Sequence, residues 1–558
     1  MESLKRCESI EDQARLVDQT QSIEAAGLPS SSTRDGPPDV LDLALAEGKQ
    51  EVHARTKARV TEALEKLDLG LNWDDVEDVI PFPDAGVTFV HRLRNVSWNL
   101  RFVYSAPCDS QQLEAAVKRS LENHPTLRSM TIEFDGKVFI VPIRTSKKWW
   151  NASLTTGHEL DTPDGLRTLL LDDPVLDAAA APGPLTRMHI ASIRDGTSGI
   201  VLVASHSVND QSSMRLWMED IAIGIKSLSA PLPPRVAFRD FAGLYYQHRQ
   251  GAEAKHGVQY WARKLHGISS LPDTTFWPNQ RAPEFMKGID PEWRHWNGSL
   301  SRTGERSVSF VEKRKAQKGL RRMAKIQDIS RLKSVHNIPS LMLVKAAMAM
   351  MNVKFTGGKE AVWGTFNAAR SWPFKSDYAD DIPSGNPLDI SGATIAVVCD
   401  RIAVPRSKTI LNFLKQVNDD EVKNTEYAHA PFYQVIDALC DPIDEDDTRS
   451  YLERQRDAEA ILPATRRQVF NWLPPAMPPS PGYQGLQMLE MLPRMDNGAT
   501  LSGFLGPDRK HLALGFMWDA EHLSYREAEE AIDLVVRLVE AMGKEENWSL
   551  TVGDILRM

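Results

Sequence analysis

The pattern of apolar and polar positions is clearest between residues 194 and 226, where it predicts a buried strand followed by a helix. Ile200–Ala204 is an uninterrupted apolar run rich in β-branched residues, which is typical of a strand. The turn-forming stretch Arg194–Ser198 precedes it. Beyond the strand, apolar residues recur at helical spacing, which predicts an amphipathic helix with one buried face: Met214, Trp217, Met218, Ile221 and Ile225.

Similar patterns elsewhere predict strands and helices that alternate along the chain. Strands are expected at 102–104, 131–142 (two strands with a turn at Asp135 and Gly136), 185–193, 361–366, 393–398, 466–472 and 511–518. Helices are expected at 113–123, 338–355, 411–427, 431–439 and 525–542, and aromatic residues at helical spacing occupy 238–265. Short strands interleaved with long helices favour an α/β or α+β layer architecture with mixed sheets.

The chain divides into three parts by composition. Residues 1–75 are predicted to hold a flexible polar leader and then a charged surface helix at 49–68. Two globular parts are expected at 76–266 and 267–558, because the chain is too long for one ordinary core. An irregular segment at 267–305, with many Gly, Pro and Trp residues, is expected to bridge them.

Composition and charge narrow the class of protein. A chain of 558 residues with 42% hydrophobic and 25% charged residues is typical of a globular protein. The net charge of −9 gives no support for a nucleic-acid partner. A basic run between Lys313 and Lys325 is interpreted as the solvated face of a helix, with a docking patch for an acidic partner or a phosphate as the alternative.

The cysteines and the apolar runs bear on compartment and cofactors. The four cysteines are widely spaced, so the pattern predicts neither a metal site nor a disulfide framework, and it suits a reducing compartment. The first residues hold no apolar segment typical of a secretion signal, and no run of about 18 apolar residues occurs. The expectation is a cytoplasmic protein with no metal, no bound cofactor and no membrane partner.

Candidate chemistry lies where the first strand ends, at His206 and Asp210. A histidine at the mouth of a buried strand can act as a general base, because its ordinary pKa of about 6.5 lies near neutrality and its ring can be oriented by neighbours. A purely structural role for these two residues is also open. Asp210 can simply cap the helix that follows, and about one histidine with an aspartate four residues later is expected by chance in such a chain.

The order of several segments from about residue 76 onward resembles the condensation domains of nonribosomal peptide synthetases, within the chloramphenicol-acetyltransferase-like acyltransferases. Ser205-His206-x-x-x-Asp210 is similar to the family motif HHxxxDG, and His124-Pro-Thr-Leu-Arg128 is similar to HxxLR. The other similar segments follow in the family's order: an entry segment ending at Ile80 and Pro81, Gly183-Pro184-Leu185, Tyr260-Trp261 to Leu265, Trp363-Gly364-Thr365 to Arg370, Ala430-Pro431-Phe432 and Val469-Phe470-Asn471.

This resemblance implies a fold and a set of residue roles. The fold would be two chloramphenicol-acetyltransferase-like subdomains in a V-shaped pseudodimer, with a central tunnel that meets at the histidine. His206 would be the catalytic base, and Asp210 would pair with Arg370 to support the motif loop, although Arg370 can also be read as a surface charge. No metal or bound cofactor is implied, because the acyl donor is a thioester carried on phosphopantetheine or coenzyme A.

Two positions depart from the family motif. Ser205 replaces its first histidine, and Gln211 replaces its glycine. By the resemblance, that glycine leaves room for the donor arm near the histidine. Both residues are therefore candidates for the donor side of the tunnel, and Gln211 is expected to narrow or gate that route.

The function implied is that of a free-standing, fungal-type condensation enzyme. An acyl-loaded carrier protein in trans would donate the acyl group to a small amine or alcohol, which gives an amide or ester in secondary metabolism. Two alternatives stay open: an acyl-CoA-dependent O- or N-acyltransferase, and a catalytically silent domain that docks a carrier protein. Serine hydrolase chemistry is disfavoured, since no Gly-x-Ser-x-Gly elbow is found, and His206 excludes the cyclising relatives, which carry aspartate there.

Overall fold

A computed structural model of the chain describes the residues on which the following account rests. They are 49–91, 99–134, 137–172, 182–272, 275–278, 317–372, 385–473, 485–494, 497–506, 508–520 and 522–558. The leader expected before residue 49, most of the bridge at 267–305 and the turn at residues 135 and 136 lie outside them.

Helices and strands alternate through the described residues, as the sequence pattern predicts. The helices are α1 Lys49–Lys66, α2 Asp84–His91, α3 Ser110–Ser120, α4 Lys147–Ser153, α5 Asp164–Asp172, α6 Gln211–Lys226, α7 Phe238–Gln250, α8 Ala252–Leu265, α9 Ile329–His336, α10 Ser340–Thr356, α11 Ile410–Glu426, α12 Phe432–Ala438, α13 Tyr451–Arg467, α14 Tyr525–Met542 and α15 Val552–Arg557. The strands are β1 Ile80–Pro81, β2 Asn99–Ala106, β3 Ser129–Phe134, β4 Lys137–Pro142, β5 Leu154–Leu160, β6 Thr186–Ile193, β7 Ser198–Ser205, β8 Val236–Ala237, β9 Gln317–Lys325, β10 Glu360–Asn367, β11 Ile390–Ser391, β12 Ala396–Ala403, β13 Gln468–Trp472, β14 Gln487–Arg494, β15 Ala499–Leu505 and β16 His511–Asp519.

Strand β7 is the centre of a five-stranded sheet with the order β14-β2-β7-β6-β5. Every residue of β7 is buried, because helices cover both faces of the sheet. Ile200, Leu202 and Ala204 face a core shared with α3 and α6. Val201 and Val203 face a smaller core formed with α5. The apolar run that marks this strand in the sequence therefore reflects burial on two sides.

A second sheet of six strands follows the order β12-β10-β13-β15-β16-β9. Helix α10 is apolar almost all round and buried along most of its length, in a core that it shares with α11 and α14. It begins after Pro339 and ends at Gly357, as the sequence predicts. No single described helix is long and apolar enough to cross a membrane, whereas the bent pair α9 and α10 passes that test of length and composition together.

Two strands that come late in the chain pair with strands that come early. Strand β14 pairs antiparallel with β2 at the edge of the five-stranded sheet. Strand β11 pairs in parallel with β8. The second pairing places Ile390 and Ser391 beside Val236 and Ala237.

The interpretation of the basic run as a helix is wrong for its described residues. Lys318, Arg321, Arg322 and Lys325 lie on β9, which among the described strands pairs only with β16 and so forms the edge of its sheet. Arg322 is held by Asp533 and Glu529 of α14. Lysine and arginine on an edge strand discourage pairing with another chain, which explains a basic composition at this place. The sequence pattern also fails to predict several described elements, among them α2, α4, α5, α13, β5, β14 and β15.

Candidate active site

His206 is the first residue after β7, and one hydrogen bond fixes its tautomer. The ring nitrogen Nδ1 donates to the backbone carbonyl of Asn209 at 2.8 Å. A carbonyl oxygen only accepts, so Nδ1 carries the hydrogen and the neutral ring has its lone pair on Nε2. The side chain is partly exposed, although the strand before it is buried. This is the arrangement that a histidine needs to accept a proton from a bound molecule.

Two aromatic side chains pack against the His206 ring. Phe89 of α2 stacks on its face, with ring centroids 5.0 Å apart and an angle of 7° between the planes. Phe366, near the end of β10, approaches it edge-on at 6.5 Å and 73°. Burial lowers the pKa of His206, against the opposing effects of the hydrogen bond to Asn209 and of the charge on Asp210. The neutral, proton-accepting form is therefore favoured at neutral pH.

Asp210 has both of the roles that the sequence left open. It is the N-cap of α6, and its Oδ1 accepts from the backbone N–H of Ser213 at 2.8 Å. The same oxygen accepts from Nη2 of Arg370 at 2.6 Å. Its second oxygen accepts from the backbone N–H of Thr394 at 3.2 Å. Asp210 thus joins the loop carrying His206 to residues that lie more than 150 positions later in the chain.

Arg370 is buried, so it is not a surface charge. Its Nη1 donates to the carbonyl of Ile390 at 2.5 Å, and its Nη2 donates to that of Gly392 at 2.6 Å as well as to Asp210. Arg370 follows a turn at the end of β10. In this turn the side chain of Asn367 accepts from the backbone N–H of Ala369 at 2.9 Å. The guanidinium suits this position because it can donate to several acceptors at fixed angles.

Gly392 is expected to tolerate no side chain. A Cβ added there would lie 2.5 Å from a ring carbon of Phe238. Gly392→Ala should therefore lower the free energy of unfolding by about 1–3 kcal/mol, which is the usual cost of overpacking, as measured by urea denaturation. Gly515→Ala is the matched control, because its new Cβ would lie 4.0 Å from the Cβ of Ser502, which is an ordinary van der Waals distance. Equal stability of the two variants would contradict the expectation.

The two donor-side candidates lie in different surroundings. Ser205 is buried, and its hydroxyl is hydrogen-bonded to that of Ser207 at 2.8 Å. Gln211 is the first residue of α6, and its side chain is exposed. Their assignment to a donor route and the tunnel itself stay predictions.

Another histidine, which is buried, supports the loop that holds Arg370. His124 donates from Nε2 to Asp220 at 3.0 Å, and its Nδ1 lies 2.7 Å from the hydroxyl of Ser391. Burial lowers the pKa of His124, so the ring is neutral and its Nδ1 accepts from Ser391. Ser391 stands between the two residues whose carbonyls bind Arg370. The sequence motif drew attention to His124, but nothing in its spacing indicated this contact.

Comparison with known proteins assigns the family. Residues 85–450 match the family model of the condensation domain, and the chain therefore belongs to the condensation domain family. The family is acyltransferase-like. Among curated proteins, the chain is 23% identical over 387 residues to the nonribosomal peptide synthetase ungA of Aspergillus violaceofuscus, an alignment that covers 66% of this chain and 4% of that protein. The chain thus spans a small part of the length of this relative.

Solved structures show the same fold. The condensation domain from the monacolin K polyketide synthase MokA superposes with a TM-score of 0.60 at 12% identity, over 86% of this chain and all of that one. The starter condensation domain of the rhizomide synthetase RzmA gives a TM-score of 0.58 at 13% identity, over 85% of this chain and 98% of that one. The expectation of a mixed, chloramphenicol-acetyltransferase-like fold is confirmed.

Proposed function

We propose that this protein transfers an acyl group from a thioester to an amine or a hydroxyl, with His206 as the general base. The observation that carries the proposal is the hydrogen bond from Nδ1 of His206 to the carbonyl of Asn209. It leaves the lone pair on Nε2 of a partly exposed ring, and burial keeps that ring neutral near pH 7. Membership of the condensation domain family supports this chemistry.

The reaction needs only proton transfer and positioning from the protein. The nitrogen or oxygen of the acceptor attacks the carbonyl carbon of the thioester while Nε2 of His206 takes its proton. The carbon–sulfur bond then breaks, and the departing sulfur receives that proton from the imidazolium. The products are an amide or ester and a free thiol, and His206 returns to its neutral form. Holding both substrates together converts a bimolecular reaction into an effectively unimolecular one.

The preferred donor in this proposal is an acyl group on the phosphopantetheine arm of a carrier protein. The similarity to ungA supports this, since that protein is described as a nonribosomal peptide synthetase. Acyl-CoA is the alternative donor, because it presents the same thioester on the same arm. A solved neighbour, a variant of the RzmA starter condensation domain, is described in complex with C8-CoA and Leu-SNAC.

Replacing His206 with alanine tests the proposal. The protein is mixed with acyl groups on a carrier protein or on coenzyme A and with a panel of amines and alcohols, and products are measured by mass spectrometry. His206→Ala should lower the rate of product formation at least about 100-fold, the lower end of what general base catalysis contributes. The matched control is His511→Ala, which removes an exposed imidazole whose ring contacts Asp508 on the surface.

The outcomes separate the functions. If product forms from carrier-bound donors and His206→Ala abolishes it, the condensation reaction is supported. Equal use of acyl-CoA favours the CoA-dependent alternative. Undiminished product formation by His206→Ala would falsify the role of this histidine. No product from any donor, with binding to the carrier protein intact, would instead support a docking role.

A further inference from the structure

We infer that Phe89 is a positioning residue that holds the His206 imidazole by face-to-face stacking in the orientation its proton transfer requires. The two rings are nearly parallel, with centroids 5.0 Å apart, and Phe89 is 1% exposed. The inference deepens the proposed function, on which it rests for the role of His206. Nothing in the sequence pattern indicates Phe89, because it lies more than 100 residues before the histidine it contacts.

The need for such a contact follows from the geometry of the ring. The hydrogen bond from Nδ1 to the carbonyl of Asn209 fixes one atom of the imidazole and its tautomer, but the plane can still tilt about that bond. A flat ring packed parallel to the imidazole removes this tilt. Phe366 approaches the imidazole edge-on and also packs against Phe89, with centroids 5.7 Å apart. The three rings form one packed group, and the lone pair on Nε2 keeps one direction.

Helix α2 is itself fixed from two sides, which makes Phe89 a firm support. Asp84, its first residue, is buried and accepts from the side chain of Arg249 in α7. Its other carboxylate oxygen accepts from the backbone N–H of Tyr433 in α12 at 3.0 Å. Just before the helix, the carbonyl of Phe82 accepts from the hydroxyl of Tyr246 at 3.0 Å. Elements from distant parts of the chain thus set the position of Phe89.

Phe89 also belongs to a different environment from the strand that carries His206. It lies in the core cluster formed by α8, α12, α13 and residues of β10 and β12, such as Trp261 and Ile436. His206 extends from β7, whose apolar residues face other cores. The stack between Phe89 and His206 therefore joins the core cluster of Phe89 to the end of β7. Val87 of the same helix packs in one cluster with Val208 of the loop that carries His206, so α2 contributes to both sides of the site.

Two substitutions of Phe89 distinguish the effect of its flat ring from the effect of its apolar volume. Phe89→Ala removes both, and Phe89→Leu keeps an apolar group without a flat face. The matched control is Val258→Ala on α8, which removes buried volume from the same core cluster as Phe89. Steady-state kinetics as a function of pH are combined with nitrogen NMR of labelled histidine, and the His206 signal is identified by its absence in His206→Ala.

Both Phe89 variants should lower kcat about tenfold or more with little change in KM, whereas Val258→Ala should leave kcat within about twofold. In both Phe89 variants the ring can tilt, which weakens the hydrogen bond from Nδ1 to the carbonyl of Asn209. The NMR signals of His206 should therefore change from one tautomer, with hydrogen on Nδ1, to a mixture. In Phe89→Ala the acid limb of kcat/KM should also move to higher pH, because burial lowers the pKa of His206 and this variant relieves that burial.

Unchanged NMR signals of His206 in both Phe89 variants, or an equal loss of kcat in Val258→Ala, would overturn the inference. The NMR result does not depend on activity. If His206→Ala stays active, the proposed function fails while the effect of Phe89 on the ring is still measured. If His206→Ala is inactive and the NMR signals of His206 are unchanged in the Phe89 variants, only the inference about Phe89 fails.

Discussion

Arg370→Ala is expected to lower the free energy of unfolding by about 3–5 kcal/mol, the usual cost of removing one partner from a buried ion pair. The side chain of Arg370 is fully buried and that of Asp210 is 6% exposed, so water cannot replace the lost guanidinium. The carbonyls of Ile390 and Gly392 would lose their donors at the same time. Urea denaturation of the purified variants measures the change.

Substituting both members of the ion pair distinguishes the stabilisation between Asp210 and Arg370 from the cost of each single substitution. Asp210→Asn combined with Arg370→Met removes both charges and keeps an oxygen at the helix cap. Because no unpaired charge remains, the double variant should lose less stability than the summed losses of Asp210→Asn and Arg370→Met, by about 1 kcal/mol or more. Strict additivity would show that the two side chains do not stabilise each other.

Catalysis should fall as well in Arg370→Ala, even in the molecules that stay folded. Asp210 caps α6, and the loop between this cap and β7 carries both His206 and the carbonyl of Asn209 that orients it. Releasing Asp210 from Arg370 frees this loop. Measured under conditions where the variant is folded by circular dichroism, kcat should fall more than KM rises.

The sequence predicts most of the framework of the site and little of its detail. The strand at 198–205 is visible as a continuous apolar run because both of its faces are buried. The helix at 211–226 is visible because burial of one face gives its apolar residues a helical period. The pair of Asp210 with Arg370 was expected only through the family resemblance. Its two members lie 160 residues apart, and no local pattern joins them.

The residues that sequence reasoning missed share a physical reason. Phe89 and the carbonyl of Gly392 act through contacts between distant segments, and the carbonyl of Asn209 acts through backbone that carries no side-chain signal. The basic run was misread for a related reason. Its cations are three and four residues apart, a spacing that fits a helix, but β9 is an edge strand where exposure decides the composition.

Buried charge also supports β10, the strand that carries Phe366 toward the site. Lys345 of α10 is buried, and its ammonium lies 2.8 Å from Asp400 of β12 and 2.5 Å from Glu421 of α11. Thr365, next to Phe366, donates to the same oxygen of Asp400. Burial alone would lower the pKa of Lys345, but the two carboxylates raise it above its ordinary value. The lysine is therefore charged. Its ammonium helps to lower the pKa of Asp400 against the effect of burial, whereas burial raises the pKa of Glu421.

Lys345→Met should lower the free energy of unfolding by about 3–5 kcal/mol at pH 8, because it leaves the buried Asp400 and the partly buried Glu421 without the ammonium that both contact. Burial then raises the pKa of both carboxyls in the folded state above their unfolded values, so the folded state takes up protons as the pH falls. The loss of stability should accordingly shrink between pH 8 and pH 5. Lys354→Met, on the exposed last turn of the same helix, removes a hydrogen bond to the carbonyl of Leu556 and should cost about 1 kcal/mol at either pH. A loss in Lys345→Met that does not vary with pH would mean that the carboxylates find other partners, and the ammonium would then contribute mainly through packing.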